Sequence, residues 1–359
     1  MGTASITFFS GTGNTRHACR TLAAGLEREG WRVGLREIAP PKPVAADSGF
    51  VNAGPSVSAA SAVAPPDLAV FAFPVFSFGV PHLVRRFVRR LPPVDGVPAA
   101  VIAVFGDDVT GPPSARRRVS GYEGGALDDA VRLLSRRGYD VRTARGVGFP
   151  QSFTQFSLSP DEEECRVILT GSEAAVAAMA ADLAAGRHEL RTRGPATWIW
   201  TRVVGAMFSF VGRRALGKIY VADDRCTSCG WCERACPAAT IRMLGRGSAR
   251  RLPRWGWRCE ACQRCINGCP EKVIQVSGLR IVALTVAAMP WGLLAARSVP
   301  WLSFPGGRVL AWLVGTILLT TSVDLLLRLL ERVPGTRRVV RMGYTRAFRR
   351  YHGPEGSVT

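Results

Sequence analysis

Two runs of cysteine dominate what this chain can become. Cys226, Cys229, Cys232 and Cys236 precede Pro237, and Cys259, Cys262, Cys265 and Cys269 precede Pro270. Each run reads C-x2-C-x2-C-x3-C-P, and together they hold eight of the 10 cysteines. Met1 leads straight into the apolar stretch ASITFF without a charged leader, so a reducing compartment is expected, where thiolates bind metal rather than form disulfides. Zinc knuckles usually place a longer loop between two cysteine pairs, and four cysteines packed this tightly, twice, fit zinc poorly. The repeat also extends past the sulfurs: CPAATIRM and CPEKVIQV place Ile241 and Ile274 at the same offset. A domain this short is expected to depend on its metal for folding.

These repeats resemble the signature of bacterial ferredoxins. The resemblance implies two [4Fe–4S] clusters with crossed ligation. Cys226, Cys229, Cys232 and Cys269 would hold one, and Cys259, Cys262, Cys265 and Cys236 the other, with Pro237 and Pro270 redirecting the chain after each crossing. The basic linker IRMLGRGSARRLPRWGWR carries Trp255 and Trp257, which either keep water from a cluster or meet a partner. Cys19 and Cys165 stand apart and read as structural thiols, and His17, His82, His188 and His352 form no ligand spacing.

The N-terminal part alternates apolar runs with helical patterns. Strands are predicted at 4–9, 31–38, 67–76, 99–106 and 139–149, with helices at 14–30, near 81–91, near 125–138 and from SPDEEECRVI onward. The Ala/Pro/Ser-rich stretch 40–66 reads as a flexible insertion. Such alternation predicts an α/β doubly wound parallel sheet of five strands, which binds ligands at the carboxyl ends of its strands.

The loop FFSGTGNTRH joins the first strand to the first helix. Backbone N–H groups, hydroxyls and a helix N-terminus suit a phosphate. No Lys completes a Walker loop, and Arg16 stands where a dinucleotide fingerprint needs its third glycine, although Glu37 would suit a ribose. Ser10, Gly11, Thr12, Gly13, Asn14 and Thr15 resemble the flavodoxin phosphate loop, which implies FMN. On that resemblance Pro74, Phe76, Phe78 and Gly79 flank the flavin after the third strand, Gly106 and Asp107 begin a second loop, and FPQSF follows the fifth strand. Ordinary core is the alternative for these aromatics.

Residues 191–218 form an amphipathic connector, either an interfacial helix or one packed on a neighbouring domain. The runs 281–296 and 309–327 are strongly apolar, and a span needs about 20 such residues. A transmembrane helical hairpin over 281–330 is expected, with Arg297 snorkelling and Asp324 near the end of the second run; a buried hairpin is the alternative. The basic tail, 331–359, then faces the cytoplasm. The net charge of +20 is mostly arginine, spread in pairs with no reading helix or aromatic-interleaved patch, so no nucleic acid partner is expected.

The arrangement resembles flavodoxin–ferredoxin fusion proteins of bacteria and archaea. The expected organisation is a flavodoxin-like domain over 1–190, the connector, a small α+β 2[4Fe–4S] ferredoxin domain over 219–280, the hairpin and the tail. The expected function is electron transfer between two clusters and FMN at the cytoplasmic membrane face, with redox donor and acceptor proteins as partners and no catalytic residues assigned. The alternatives are a flavin-dependent reductase of a small acceptor such as a quinone, and a redox-sensing iron–sulfur protein. A soluble cytoplasmic carrier is the fallback location.

Overall fold

The computed structural model describes residues 2–38, 65–110, 117–119, 123–153, 160–191, 195–245, 251–287, 305–331, 333–351 and 353–354. Most of the expected insertion (39–64) and the stretch 288–304, with Arg297, lie outside the described residues.

Five parallel strands form the first domain: β1 (Thr3–Phe8), β2 (Arg32–Glu37), β3 (Leu68–Pro74), β4 (Val97–Thr110) and β6 (Tyr139–Pro150). Their order is β2-β1-β3-β4-β6, the flavodoxin-like order with its switch point between β1 and β3. A short β5 (Arg117–Val119) pairs antiparallel with the far end of β4 and had no signal in the sequence. The run LAVFAFP is buried along nearly its whole length because helices cover both faces. On one face α1 (Asn14–Arg28) and α4 (Glu162–Ala184) seat Leu22, Leu26, Val176 and Met179 on Ile6, Val70 and Ile102. On the other, α2 (His82–Val88) and α3 (Ala126–Ser135) seat Leu83, Val84 and Leu134 on Phe71, Phe73 and Val101. Truncating one such buried leucine to alanine costs about 2–5 kcal/mol. The acidic start predicted for the last helix is a capping box: Glu164 N–H donates to Asp161 Oδ1, and Asp161 N–H donates to Glu164 Oε2.

The connector is α5 (Pro195–Met207), one π-turn (Phe208–Gly212) and α6 (Arg213–Lys218). One side of it packs on the first domain. Gly205 packs against the Ser77 carbonyl, and the Trp198 ring lies 4.0 Å from the Arg132 guanidinium and 5.1 Å from that of Arg202. Its other side exposes Ile199, Trp200, Val203 and Met207.

In the cysteine-rich part, β7 (Tyr220–Ala222) pairs antiparallel with β10 (Ile274–Val276). The linker between the cysteine runs folds into a hairpin, β8 (Ile241–Leu244) with β9 (Leu252–Trp255). The short helices α7 (Trp231–Ala235) and α8 (Arg264–Asn267) start within the two runs. Ile241 and Ile274, matched in the sequence repeat, share one small core with Ile219 and Ile266.

Three helices complete the described chain: α9 (Gly278–Ala287), α10 (Pro305–Leu330) and α11 (Pro334–Arg341). The end of α10 is docked by charge. Buried Arg280 donates to Asp324 at 3.1 Å and to Glu331 at 2.5 Å, Lys218 Nζ lies 3.2 Å from Asp324, and Arg254 also pairs with Glu331. Ile317 and Leu318, nearer the middle of α10, are exposed. Among the described residues, the helix that meets a length and apolarity test for crossing a membrane is α4, and Ile168, Val176 and Met179 pack it onto the sheet as a core helix.

Candidate iron–sulfur and flavin sites

The two cysteine loops repeat each other in backbone as well as in sequence. Ser228 and Ala261, each two residues past its first cysteine, have φ of 62° and 54°. Gly230 and Gln263 have 73° and 60°, and Ala239 and Lys272, each three residues past the last cysteine, have 47° and 51°. Left-handed backbone at a non-glycine residue costs of order 1 kcal/mol and persists where the surroundings impose it. Its recurrence at matched positions marks two loops bent to the same purpose.

Each loop encloses a cavity. Cys226, Cys229, Cys232 and Cys269 line the first, and Cys236, Cys259, Cys262 and Cys265 line the second. Both measure about 330 Å³, counted to the open mouth. The crossed grouping implied by the ferredoxin resemblance is thus the grouping in space. All eight thiols are free of disulfides. Among the described residues no three His, Cys, Asp or Glu side chains are arranged to hold a single metal ion. Four sulfurs around a cavity, rather than converging on a point, fit a cubane. Burial pushes the Cys232 and Cys259 thiols up to about 12 and that of Cys262 up to about 11. Iron ligation at these sulfurs would release the protons that burial favours on them.

Of the residues that wall these cavities, sequence reasoning singled out Trp255 but neither Trp231 nor Tyr220. Trp231 lines the first and presses its ring on Gly268. Its position within Cys229-Gly230-Trp231-Cys232 was the available signal. Tyr220 and the buried Trp255 line the second cavity and meet edge to face at 5.7 Å. Trp255 therefore keeps water out. Trp257 is exposed, with Lys218 Nζ 4.2 Å from its ring centre.

The loop expected to hold the flavin phosphate lies at the carboxyl end of β1, but it is covered. Ser10 and Thr15 are 2% and 1% exposed, and Thr12 and Asn14 are also buried. A β-carbon at Gly11 would sit 2.5 Å from the carbonyl oxygen of Cys262, so the second cysteine loop rests directly on this turn. Arg264, itself buried, donates to the carbonyls of Ser10 and Gly11 and pairs with Glu37 at 3.2 Å. Glu37, read as a candidate ribose ligand, is further held by Arg16 at 2.8 Å. The tail closes the other side: Tyr351 donates its hydroxyl to Asn14 Oδ1, and Gly353 packs against the Thr12 carbonyl. Asn14 Nδ2 donates to the Pro150 carbonyl, and Gly13 N–H donates to Ser10 Oγ.

The expected ring contacts are similarly engaged. Pro74 ends β3, and Phe76 and Gly79 close a tight turn on each other through two 3.1 Å backbone hydrogen bonds. Phe78, at φ 62°, packs on Gly124. The Gln151 side chain fills the space beside Gly106, and Asp107 is buried beside Gly148. In this arrangement a flavin phosphate does not fit, although the loop has the composition for one.

A family model described as a 4Fe-4S dicluster domain matches residues 225–274. A search of curated proteins finds no match. Solved structures similar to the N-terminal half include the flavodoxin of Streptococcus pneumonia TIGR4, at 18% identity over 51% of this chain and 99% of that one, with TM-score 0.31. The flavodoxin, WrbA-like protein of Agrobacterium tumefaciens has 14% identity over 53% of this chain and 100% of its own, with TM-score 0.31. A cysteine-to-serine mutant of flavodoxin from Pseudomonas aeruginosa has 13% identity over 51% of this chain and 97% of its own, with TM-score 0.30. The fold assignment rests on strand order. The chain joins a flavodoxin-like domain to an iron–sulfur ferredoxin domain.

Proposed function

We propose that the chain is an electron-transfer protein that carries electrons through two [4Fe–4S] clusters at the cytoplasmic face of a membrane. The observation that carries this reading is the pair of four-cysteine cavities, each assembled from three cysteines of one loop and the last cysteine of the other. Each cluster, when bound, takes up and releases one electron, with a potential set by surrounding charge, hydrogen bonds and water access. The protein supplies that setting. Trp231, Tyr220 and Trp255 wall the cavities, the buried cation Arg264 sits within the second loop and donates to the Ala235 carbonyl, and buried Arg350 donates to Ile274 of β10. Nearby positive charge favours the reduced state, so potentials above those of acidic ferredoxins follow.

FMN belongs to this reading only with the phosphate loop opened, so the proposed electron path runs through the clusters alone. The membrane is supported by the exposed apolar faces of α5, α9 and α10, represented by Trp200, Met207, Val282, Val286, Ile317 and Leu318. The end of α10 at Asp324 then lies at the water boundary, and the arginines of α11 meet the anionic surface.

Redox-titrated EPR on anaerobically purified protein tests the function. Two one-electron iron–sulfur signals with about eight irons per chain are expected. Zinc, or protein without acid-labile sulfide, would overturn it. Sedimentation with membranes through an alkaline carbonate wash tests the location, and release into the supernatant would defeat the spanning reading.

A further inference from the structure

Arg264 is an unusual residue to find buried, since it sits between two cysteines of a cluster loop and belongs by sequence to the ferredoxin domain. Its guanidinium is spent on the other domain: it donates to the carbonyls of Ser10 and Gly11 and pairs with Glu37, while a further N–H donates to Ala235 O at 3.2 Å. We propose that the loop 10–15 is the socket into which the second cluster loop docks, and that FMN and the docked ferredoxin domain exclude one another. This rests on the flavodoxin-type reading of the loop, and it says what occupies that edge of the sheet.

Three independent contacts build the socket. Gly11 has no side chain, and the Cys262 carbonyl uses that gap: an added β-carbon would come within 2.5 Å of its oxygen. Glu260 anchors a neighbouring edge, accepting from Leu83 N–H at 3.3 Å with His82 Nδ1 3.4 Å and Arg213 3.6 Å away. Asn267 donates to the Ser152 carbonyl at 3.1 Å, and its Oδ1 accepts from Tyr351 N–H at 3.0 Å, which ties the tail into the same seam. The docked loop thus touches the turn after β1, the start of α2 and the segment after β6 together. The carboxyl ends of the strands are where a sheet of this topology places a ligand. Here that edge of the sheet holds the rim of the second four-cysteine cavity.

The polar groups argue for exclusion as strongly as the space does. A phosphate needs hydroxyls and N–H groups turned toward it. Asn14 is engaged at both ends of its amide, by Pro150 and Tyr351, and Ser10 Oγ is engaged by Gly13. Admitting a phosphate would break these bonds and leave a buried Arg264 without Ser10.

The test uses the full chain with both clusters loaded, titrated with FMN while hydrogen exchange is followed at residues 9–15 and 259–267. No flavin uptake, with both segments protected, is the expected result. Uptake of FMN accompanied by loss of protection at 259–267 also supports exclusion. One FMN per chain with protection unchanged overturns it. Glu37→Gln lies outside the cysteine loops and Tyr351→Phe outside both; each should raise exchange at 9–15 by about tenfold with iron content unchanged. Unchanged exchange in both variants would overturn the socket. Cluster EPR on the same samples separates this outcome from a failure of the electron-transfer reading.

Discussion

Ser228 and Ala261 hold the same left-handed backbone, at φ 62° and 54°, each two residues beyond the first cysteine of its loop. Neither is glycine, so both loops hold a backbone conformation that costs an L side chain energy. Ser228→Gly and Ala261→Gly are therefore expected to stabilise the loops by up to about 1 kcal/mol. Slower iron loss to a chelator is the measurement, and faster loss in both would count against the strain.

Crossed ligation gives a selective prediction. Cys269 lines the first cavity although it belongs to the second run, and Cys236 does the converse. Cys269→Ser should remove the signal of the first cluster and spare the second, with iron falling from about eight to about four per chain. Cys236→Ser should do the reverse. Loss of one and the same signal in both variants contradicts the crossing.

Two thiols lie outside the cavities. Cys19 is fully buried, and burial raises its thiol well above the ordinary value; the Cys165 thiol is raised to about 11. The thiolate is the reactive form, so its fraction at Cys165 grows about tenfold per pH unit below that value. In the cluster-loaded protein, alkylation near pH 7 should be slow and should quicken by about a hundredfold between pH 7 and pH 9. Mass spectrometry of the labelled peptides would show it, and fast labelling at neutral pH would mean that Cys165 is not packed as described.

Arg280 ties α9 to α10 through Asp324 and Glu331, all of them buried. Arg280→Met leaves two carboxylates short of a partner, at a cost of about 3 kcal/mol. The expected result is earlier thermal unfolding and faster protease cleavage around α10. The partial compensation by Lys218, Arg254 and Arg328 predicts a smaller effect for removing any one of those three.

Removing the iron should unfold the region between β7 and β10, because its core consists of a few aliphatic residues set between the cysteines. Circular dichroism after chelation should lose that contribution while the parallel sheet remains. A domain that keeps its signal without metal would show that Ile219, Ile241, Ile266 and Ile274 suffice.

The parallel sheet was legible because period and composition speak locally: ASITFF, LAVFAFP and AAVIAVFG are buried on both faces and look it. The grouping of the cysteines around two cavities was legible because their spacing carries the ferredoxin resemblance that implies it. The β8–β9 hairpin was hidden in a basic linker whose burial alternates only at Ile241 and Met243. The covering of the phosphate loop was not legible at all. Ser10–Thr15 reads locally as a loop for phosphate, and its real neighbours, Cys262, Arg264 and Tyr351, are over two hundred positions away. Charge gave no hint either, since Arg264 is one of 47 basic residues and nothing in its surroundings marks it as buried.

Tyr351 reaches Asn14 across 337 positions of sequence. During synthesis the strand–turn–helix around Asn14 emerges first and must wait for that tyrosine to be made. The seam between the two halves is thus a late event in maturation, slow by its topology, and the nascent chain spends its early life with the rim of the sheet bare. Chaperones, or premature capture of small anions, have their opportunity in that interval.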